Sequence, residues 1–178
     1  LMVIPGIEDE NEKERTTDEL PQSADGKTIM TTEPKFIPKE AVSVDLYGEN
    51  QVKVRMIDCV GYIVQEAEGI REEENERMVM TPWSKEPMPF SEAAEFGTRK
   101  VIHDHSTLGI VVTTDGSFGE ISREAYVPAE ERTIQELKSI GKPFVVLLNT
   151  VKPFGEEAKE LARKLSEKYE VSVLPVNC

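Results

Sequence analysis

Basic residues are scarce in this chain: 21 Lys and Arg stand against 34 Asp and Glu, a formal charge of −13. No Lys/Arg-rich block offsets the deficit and only 6% of residues are aromatic. Such a surface repels a phosphate backbone and offers few stacking platforms, which excludes nucleic acid as an expected partner. Long apolar runs are missing too. None approaches the roughly 18–20 residues that cross a bilayer, so no transmembrane segment is expected, and 38% hydrophobic content fits a soluble globular chain. Cysteine is limited to Cys59 and Cys178, with no CxxC or Cys/His pairing. That pattern suits free thiols in a reducing cytoplasm rather than a disulfide scaffold.

What remains is enough for one domain: 178 residues can enclose a sizeable core. The chain opens at Leu1, carries no charged-then-apolar leader, and stops at Cys178 after an apolar run. It is therefore expected to be a partial domain, residues 1–178, truncated at both ends. Residues 7–19 (IEDENEKERTTDE) and 66–77 (EAEGIREEENER) are too charged for a core and read as solvated. Between them, 41–47 (AVSVDLY) and 52–57 (VKVRMI) alternate apolar and polar residues around Gly48-Glu49-Asn50, which predicts a β-hairpin with one buried face.

Downstream the period changes. Residues 109–114 (GIVVTT) and 144–148 (FVVLL) are short unbroken β-branched runs, expected in parallel strands covered on both faces. Helical patterns separate them. One spans 91–105 with Ser91 as N-cap, one spans 129–140 with Ile134, Leu137 and Ile140 spaced by threes before Gly141, and one spans 156–169 with Ala158, Leu161, Ala162, Leu165 and Tyr169 on one face. A strand over 171–176 closes the chain. The order predicts an α/β three-layer sandwich, a mostly parallel sheet with an antiparallel hairpin at its edge. Ligands of such sheets lie beyond the carboxyl ends of the strands, which directs attention to Asp58, residues 113–115 and Asn149.

Three motifs occupy those places. The strand ending Met56-Ile57-Asp58-Cys59-Val60-Gly61 closes in D-x-x-G. In P-loop NTPases an acid there holds Mg²⁺ through water, and the glycine lets a backbone N–H approach the γ-phosphate. Upstream, Gly26-Lys27-Thr28 is not a Walker A end, because the glycine needed five positions earlier is Pro21. The Thr-rich stretch that follows, with Thr31 and Thr32, stands where a hydroxyl would be offered to Mg²⁺; an ordinary turn closed by Pro34 is the alternative. Third, 144–152 (FVVLLNTVK) has Asn149 where guanine-specific relatives begin N-K-x-D, but Lys152 replaces the Asp. A cation cannot accept the guanine edge's hydrogen bonds, so a bound nucleotide is expected to be ATP. Tyr62 follows D-x-x-G where a water-orienting Gln is common, which predicts slow intrinsic turnover.

The strings DELPQSADGKTIMTTEPKF, DCVGY, TPWSKEPMPFSEAAEFGTRKVIHDHST and VVTTDGSFGEISR resemble the stage IV sporulation protein A family of spore-forming bacteria, over essentially the whole chain. The resemblance implies a translation-factor-type P-loop NTPase, GTPase-like in fold, here lacking the first strand and P-loop. It implies an ATPase that polymerises on the mother-cell side of the forespore surface as the base layer of the spore coat. Its partners would be itself, other coat proteins and membrane-anchoring sporulation proteins; its cofactors would be ATP and Mg²⁺. By position, Asp58 matches the Walker B acid and Mg²⁺ ligand, Thr31 and Thr32 the sensor threonines needed for hydrolysis, with Thr32 also placed toward the metal. Gly61 matches the switch II glycine, joined by Asn149 as a nucleotide-binding position. The Walker A lysine has no counterpart, so this chain alone is expected to be inactive. Two other functions stay open: a non-enzymatic α/β scaffold with a degenerate nucleotide fold, and a GTP-dependent switch.

The remaining polar landmarks read as structural. His103 and His105, two apart, point to different faces of a helix, unlike zinc ligands. Trp83, in the Pro- and Met-rich loop 78–90, suits either a partner surface or packing over a sheet edge. Asp115-Gly116 reads as a turn.

Overall fold

The two β-branched runs form neighbouring parallel strands. In the computed structural model, which describes residues 34–46, 50–64, 66–67, 71–72, 75–81 and 84–178, β7 (Gly109–Thr114) pairs with β8 (Phe144–Asn149), and β8 pairs with β9 (Val173–Val176). Val111, Val146 and Val173 stand in register across the three strands and point to one face. Three helical segments cover it: α1 (Phe90–Lys100) with the turn that continues it, α2 (Arg123–Ser139) and α3 (Glu156–Tyr169). They contribute Ile102, Ile134, Leu137, Ala162, Leu165 and Tyr169 to the core. Val146 and Leu148 are 0% exposed and Ile134 1%. Burying each such side chain contributes about 1.5–3 kcal/mol, which makes this cluster the main source of stability.

The opposite face carries Ile110, Val112 and Leu174, exposed by 58%, 61% and 51%. Cover on both faces, expected for parallel strands, is thus supplied on one face by the described residues. The hairpin is also present. β1 (Lys35–Asp45) pairs antiparallel with β2 (Gln51–Asp58), with an irregularity between Ile37 and Val42, and the two form a sheet of their own. Two short ribbons link it to α1: β3 (Arg71–Glu72) pairs with β4 (Asn75–Glu76), and β5 (Met78–Val79) pairs with β6 (Met88–Pro89). The α/β class with a parallel sheet and an antiparallel hairpin therefore holds.

Three helix details differ from the sequence expectation. Helix α1 begins one residue before Ser91, with Pro89 at the cap. Ser91 gives no cap; its N–H donates to the Glu76 carboxylate at 2.9 Å, so an acid from another segment satisfies the helix start. The helix then widens into a π-helical turn, Val101–His105, in which Ser106 N–H reaches the Val101 carbonyl at 3.0 Å. Lys142 closes that turn, its ammonium donating to the carbonyls of Ile102, His103 and Ser106. Helix α2 starts at Arg123 and runs through Pro128, six residues earlier than its apolar spacing suggests; Ile140 is its C-cap rather than a core residue, and Gly141 at φ +66° ends it. Helix α3 has the expected bounds.

Candidate functional site

Asp58 is the last residue of β2, paired across the hairpin with Lys35, and its side chain is exposed. The chain then turns through Cys59 and Val60 to Gly61, whose φ of +81° lies in the left-handed region. A Cβ at Gly61 would meet nothing within 4 Å, so the backbone angle and not crowding calls for glycine there. The Gly61 carbonyl accepts a hydrogen bond from Thr98 Oγ1 at 3.0 Å; Thr98 is buried in α1. Burial pushes the Cys59 thiol up, and the neighbouring Asp58 charge pushes the same way. Cys59 is thus held as a neutral thiol, and both cysteines are free.

This turn opens on a cleft of about 410 Å³ that runs between Ile57–Tyr62 on one side and residues 108–113 on the other. Consecutive residues Gly109, Ile110, Val111, Val112 and Thr113 all line it, which is how the edge of a strand, not its face, borders a cavity. Among the described residues β7 pairs only with β8, and β2 only with β1. The cleft therefore lies between two strands that each have an unpaired edge, with Asp58 at one rim and Thr113 at the wall.

A buried polar hub fixes that wall. Glu130, 5% exposed on α2, accepts from Thr113 Oγ1 at 2.6 Å, from Arg123 Nη2 at 2.6 and 2.8 Å, and from Tyr169 Oη at 2.6 Å. A buried carboxylate with this many donors is compensated, and it ties β7, the start of α2 and α3 together. Burial, then the Glu130 carboxylate, pushes the Tyr169 phenol up to about 12. Sequence reasoning missed Glu130, although the signal was there: it sits four and seven residues before Ile134 and Leu137, on the buried stripe of the helix.

At the carboxyl ends of the strands, Asn149 Oδ1 accepts from Cys178 N–H at 3.0 Å, and its carbonyl accepts from Asp115 N–H at 3.3 Å. Asn149 thereby fastens β7, β8 and β9, and it does not line the cleft with Asp58. Asp115 bonds Ser117 Oγ and N–H, and Ser117 Oγ receives Val151 N–H at 3.0 Å. Burial works against the Asp115 carboxylate, but the hydrogen bonds from Ser117 and Thr150 outweigh it and hold the group below its usual range. The Asp115-Gly116 turn is thus a built one; Gly116 has φ +83°, and a Cβ there would lie 2.9 Å from Arg123 N.

Asp58 and Gly61 come together at the cleft, while Thr31, Thr32 and Trp83 lie outside the described residues. His103 and His105 do face different partners, Glu136 at 3.0 Å and the Phe36 ring at 5.7 Å between centroids. No group of three or more His, Cys, Asp and Glu suited to a metal occurs among the described residues. Mg²⁺ needs no such cage, since it is commonly held by one or two carboxylates with water and substrate phosphates, and a single exposed Asp58 beside an open cleft fits that mode. Among the described residues no helix is long and apolar enough to cross a membrane.

The family model for the ATPase domain of stage IV sporulation protein A matches residues 1–178. The chain is 53% identical over 177 residues to the stage IV sporulation protein A of Bacillus anthracis and, over the same length, 53% identical to that of Bacillus subtilis strain 168. It is 57% identical over 176 residues to that of Clostridioides difficile strain 630. Each match covers 99% of this chain and 36% of the relative, so the chain spans about a third of their length. No solved structure matches it.

Proposed function

The chain belongs to the stage IV sporulation protein A ATPase-domain family, and from that premise we propose that it is the nucleotide-hydrolysing part of a self-assembling protein that builds the base layer of the spore coat. The reaction is phosphoryl transfer from ATP to water. One observation carries it: the Asp58 carboxylate and the left-handed Gly61 turn meet at the rim of a cleft bordered by two unpaired strand edges. A further strand of the same protein, pairing with both edges, would make one continuous sheet and bring its carboxyl-end loop to Asp58. That is where a phosphate-binding loop is useful.

Asp58 would hold Mg²⁺ through water, with a hydroxyl from Thr31 or Thr32 completing the protein's share of its ligands. Mg²⁺, when bound, offsets the negative charge that spreads over the terminal phosphate. The left-handed Gly61 turn would let a backbone N–H approach that phosphate, and the Glu130 hub keeps the facing wall rigid so that little reorganisation accompanies reaction. Lys152, in the place of a guanine-reading Asp, favours adenine by failing to accept the guanine edge's hydrogens. Asn149 would contribute by locking the ends of the strands through its bonds to Cys178 and Asp115. Partners follow from the same reading: copies of the protein, other coat proteins, and membrane-anchoring sporulation proteins on the mother-cell side of the forespore.

Titration of Mg-ATP and Mg-GTP into the complete protein and its Asp58→Ala form tests this. Saturable ATP binding in both, hydrolysis in the unmodified protein alone, and weak GTP binding are expected. Indifference to both nucleotides would make the domain a scaffold, and preference for GTP would make it a guanine switch.

A further inference from the structure

The turn after Asp58 is fastened at two successive residues, to two different helices. Gly61 is held to α1 by Thr98. Tyr62, 6% exposed, is held to α2: its hydroxyl donates to Glu136 Oε2, and the Arg132 guanidinium lies 4.1 Å from its ring centroid. Arg132 in turn forks onto Glu95 of α1, and Glu136 also receives His103 Nε2 at 3.0 Å and Arg99 Nε at 3.4 Å. The Glu136 side chain is only 14% exposed, and burial pushes its carboxyl up, so it depends on these donors.

Simple packing would need only the Tyr62 ring. A phenol aimed at a fixed carboxylate sets more than that, because the ring's tilt is tied to the peptide from which it springs. That peptide joins Gly61 to Tyr62. Fixing it at the Thr98 and Glu136 ends leaves that peptide, which carries the Gly61 carbonyl and the Tyr62 N–H, little freedom to rotate. The sequence suggested Tyr62 as a poor stand-in for a water-orienting glutamine, whereas its hydroxyl is committed to a helix.

We propose that Glu136 is a positioning residue for hydrolysis: through the Tyr62 hydroxyl it aligns the Gly61–Tyr62 peptide with the terminal phosphate of the bound nucleotide. This rests on Asp58 and Gly61 forming the hydrolytic site. The turn meets the group being transferred rather than the base or ribose. Loosening it should therefore lower kcat and leave KM for ATP unchanged, since the lost interaction grows toward the transition state.

Steady-state ATP hydrolysis by the complete protein tests it with Tyr62→Phe, Glu136→Leu, their combination, and Glu136→Gln. Tyr62→Phe and Glu136→Leu should each lower kcat about five- to tenfold, the loss of one partly buried hydrogen bond. The combined variant should be no slower than either alone, because both remove the same contact. Glu136→Gln should stay near the unmodified rate, as its amide oxygen accepts the same bond. Unchanged kcat in Tyr62→Phe, or fully multiplicative losses in the pair, would overturn the role. Tyr62→Phe keeps the ring in place and decides the matter alone if Glu136→Leu does not fold. A rate that is equally low in the unmodified protein and in Asp58→Ala would instead overturn the site itself, and this role with it.

Discussion

The hairpin and the parallel sheet use the same residue types to opposite effect. In the sheet, Val146 and Leu148 are fully buried and three helical segments close over them. In the hairpin, Val42 is the one strongly buried valine, packed on Val44 and Val54, while Val52 and Met56 remain 38% and 39% exposed. A two-stranded ribbon of this kind has little stability by itself. Its outer contacts are modest: Arg55 over the Phe36 ring at 4.7 Å and the Phe36 edge against His105. Asp58 thus stands on the weakly held half and the Glu130 hub on the strongly held half, with the cleft at the seam. Elements that must move around a ligand come from the low-stability end of a fold, and rigid walls from the other.

That contrast can be broken from either side. The largest effect is expected from Glu130→Ala, which leaves Arg123, Thr113 and Tyr169 without their shared acceptor in the core. It should cost about 3–5 kcal/mol, read from the urea midpoint of the protein. Asp58→Ala should do the reverse. It should slow ATP hydrolysis by the complete protein roughly 10²–10³-fold while barely shifting the melting temperature, because the carboxylate is exposed. If Asp58→Ala melted as early as Glu130→Ala, the division into a working rim and a supporting wall would be wrong.

A smaller effect concerns alkaline pH. The Tyr169 phenol is raised in the folded state to about 12 from an ordinary value of 10.0. Its contribution is therefore fully present below pH 10 and is lost as pH rises through about 12. Urea titrations between those limits should show stability falling, with a shallower fall in Tyr169→Phe. Smallest of all, Arg163→Ala on the exposed face of α3 should leave the urea midpoint unchanged, although it removes ion pairs to Glu160 and Glu167.

How far the sequence foretold these regions depends on which residues carried local information. The bounds of α3, the strands β7 and β8, and the hairpin were all legible, because apolar period and turn residues coincide there. The start of α2 was not, since Pro128 reads as a breaker although the helix runs through it. The helical stretch after Phe90 does end at His105, as its pattern foretold, but its widening into a π-helical turn was hidden, for that turn is closed by Lys142, distant in sequence. Asp58 and Gly61 were legible from their place at a strand end, and they do meet at the cleft. Asn149 was found for the right position, yet the structure gives it strand-fastening bonds. Glu136 left no local signal, because its meaning depends on Tyr62 arriving from another segment. Glu130 was visible in principle as an acid on an apolar stripe.

The central claim concerns what fills the seam, and a structure of the complete protein with Mg²⁺ and a non-hydrolysable ATP analogue tests it most directly. The account predicts an added strand between β2 and β7, the triphosphate at its carboxyl end, and a magnesium-bound water in contact with the Asp58 carboxylate. A triphosphate bound away from Asp58, with the two strand edges still unpaired, would contradict it.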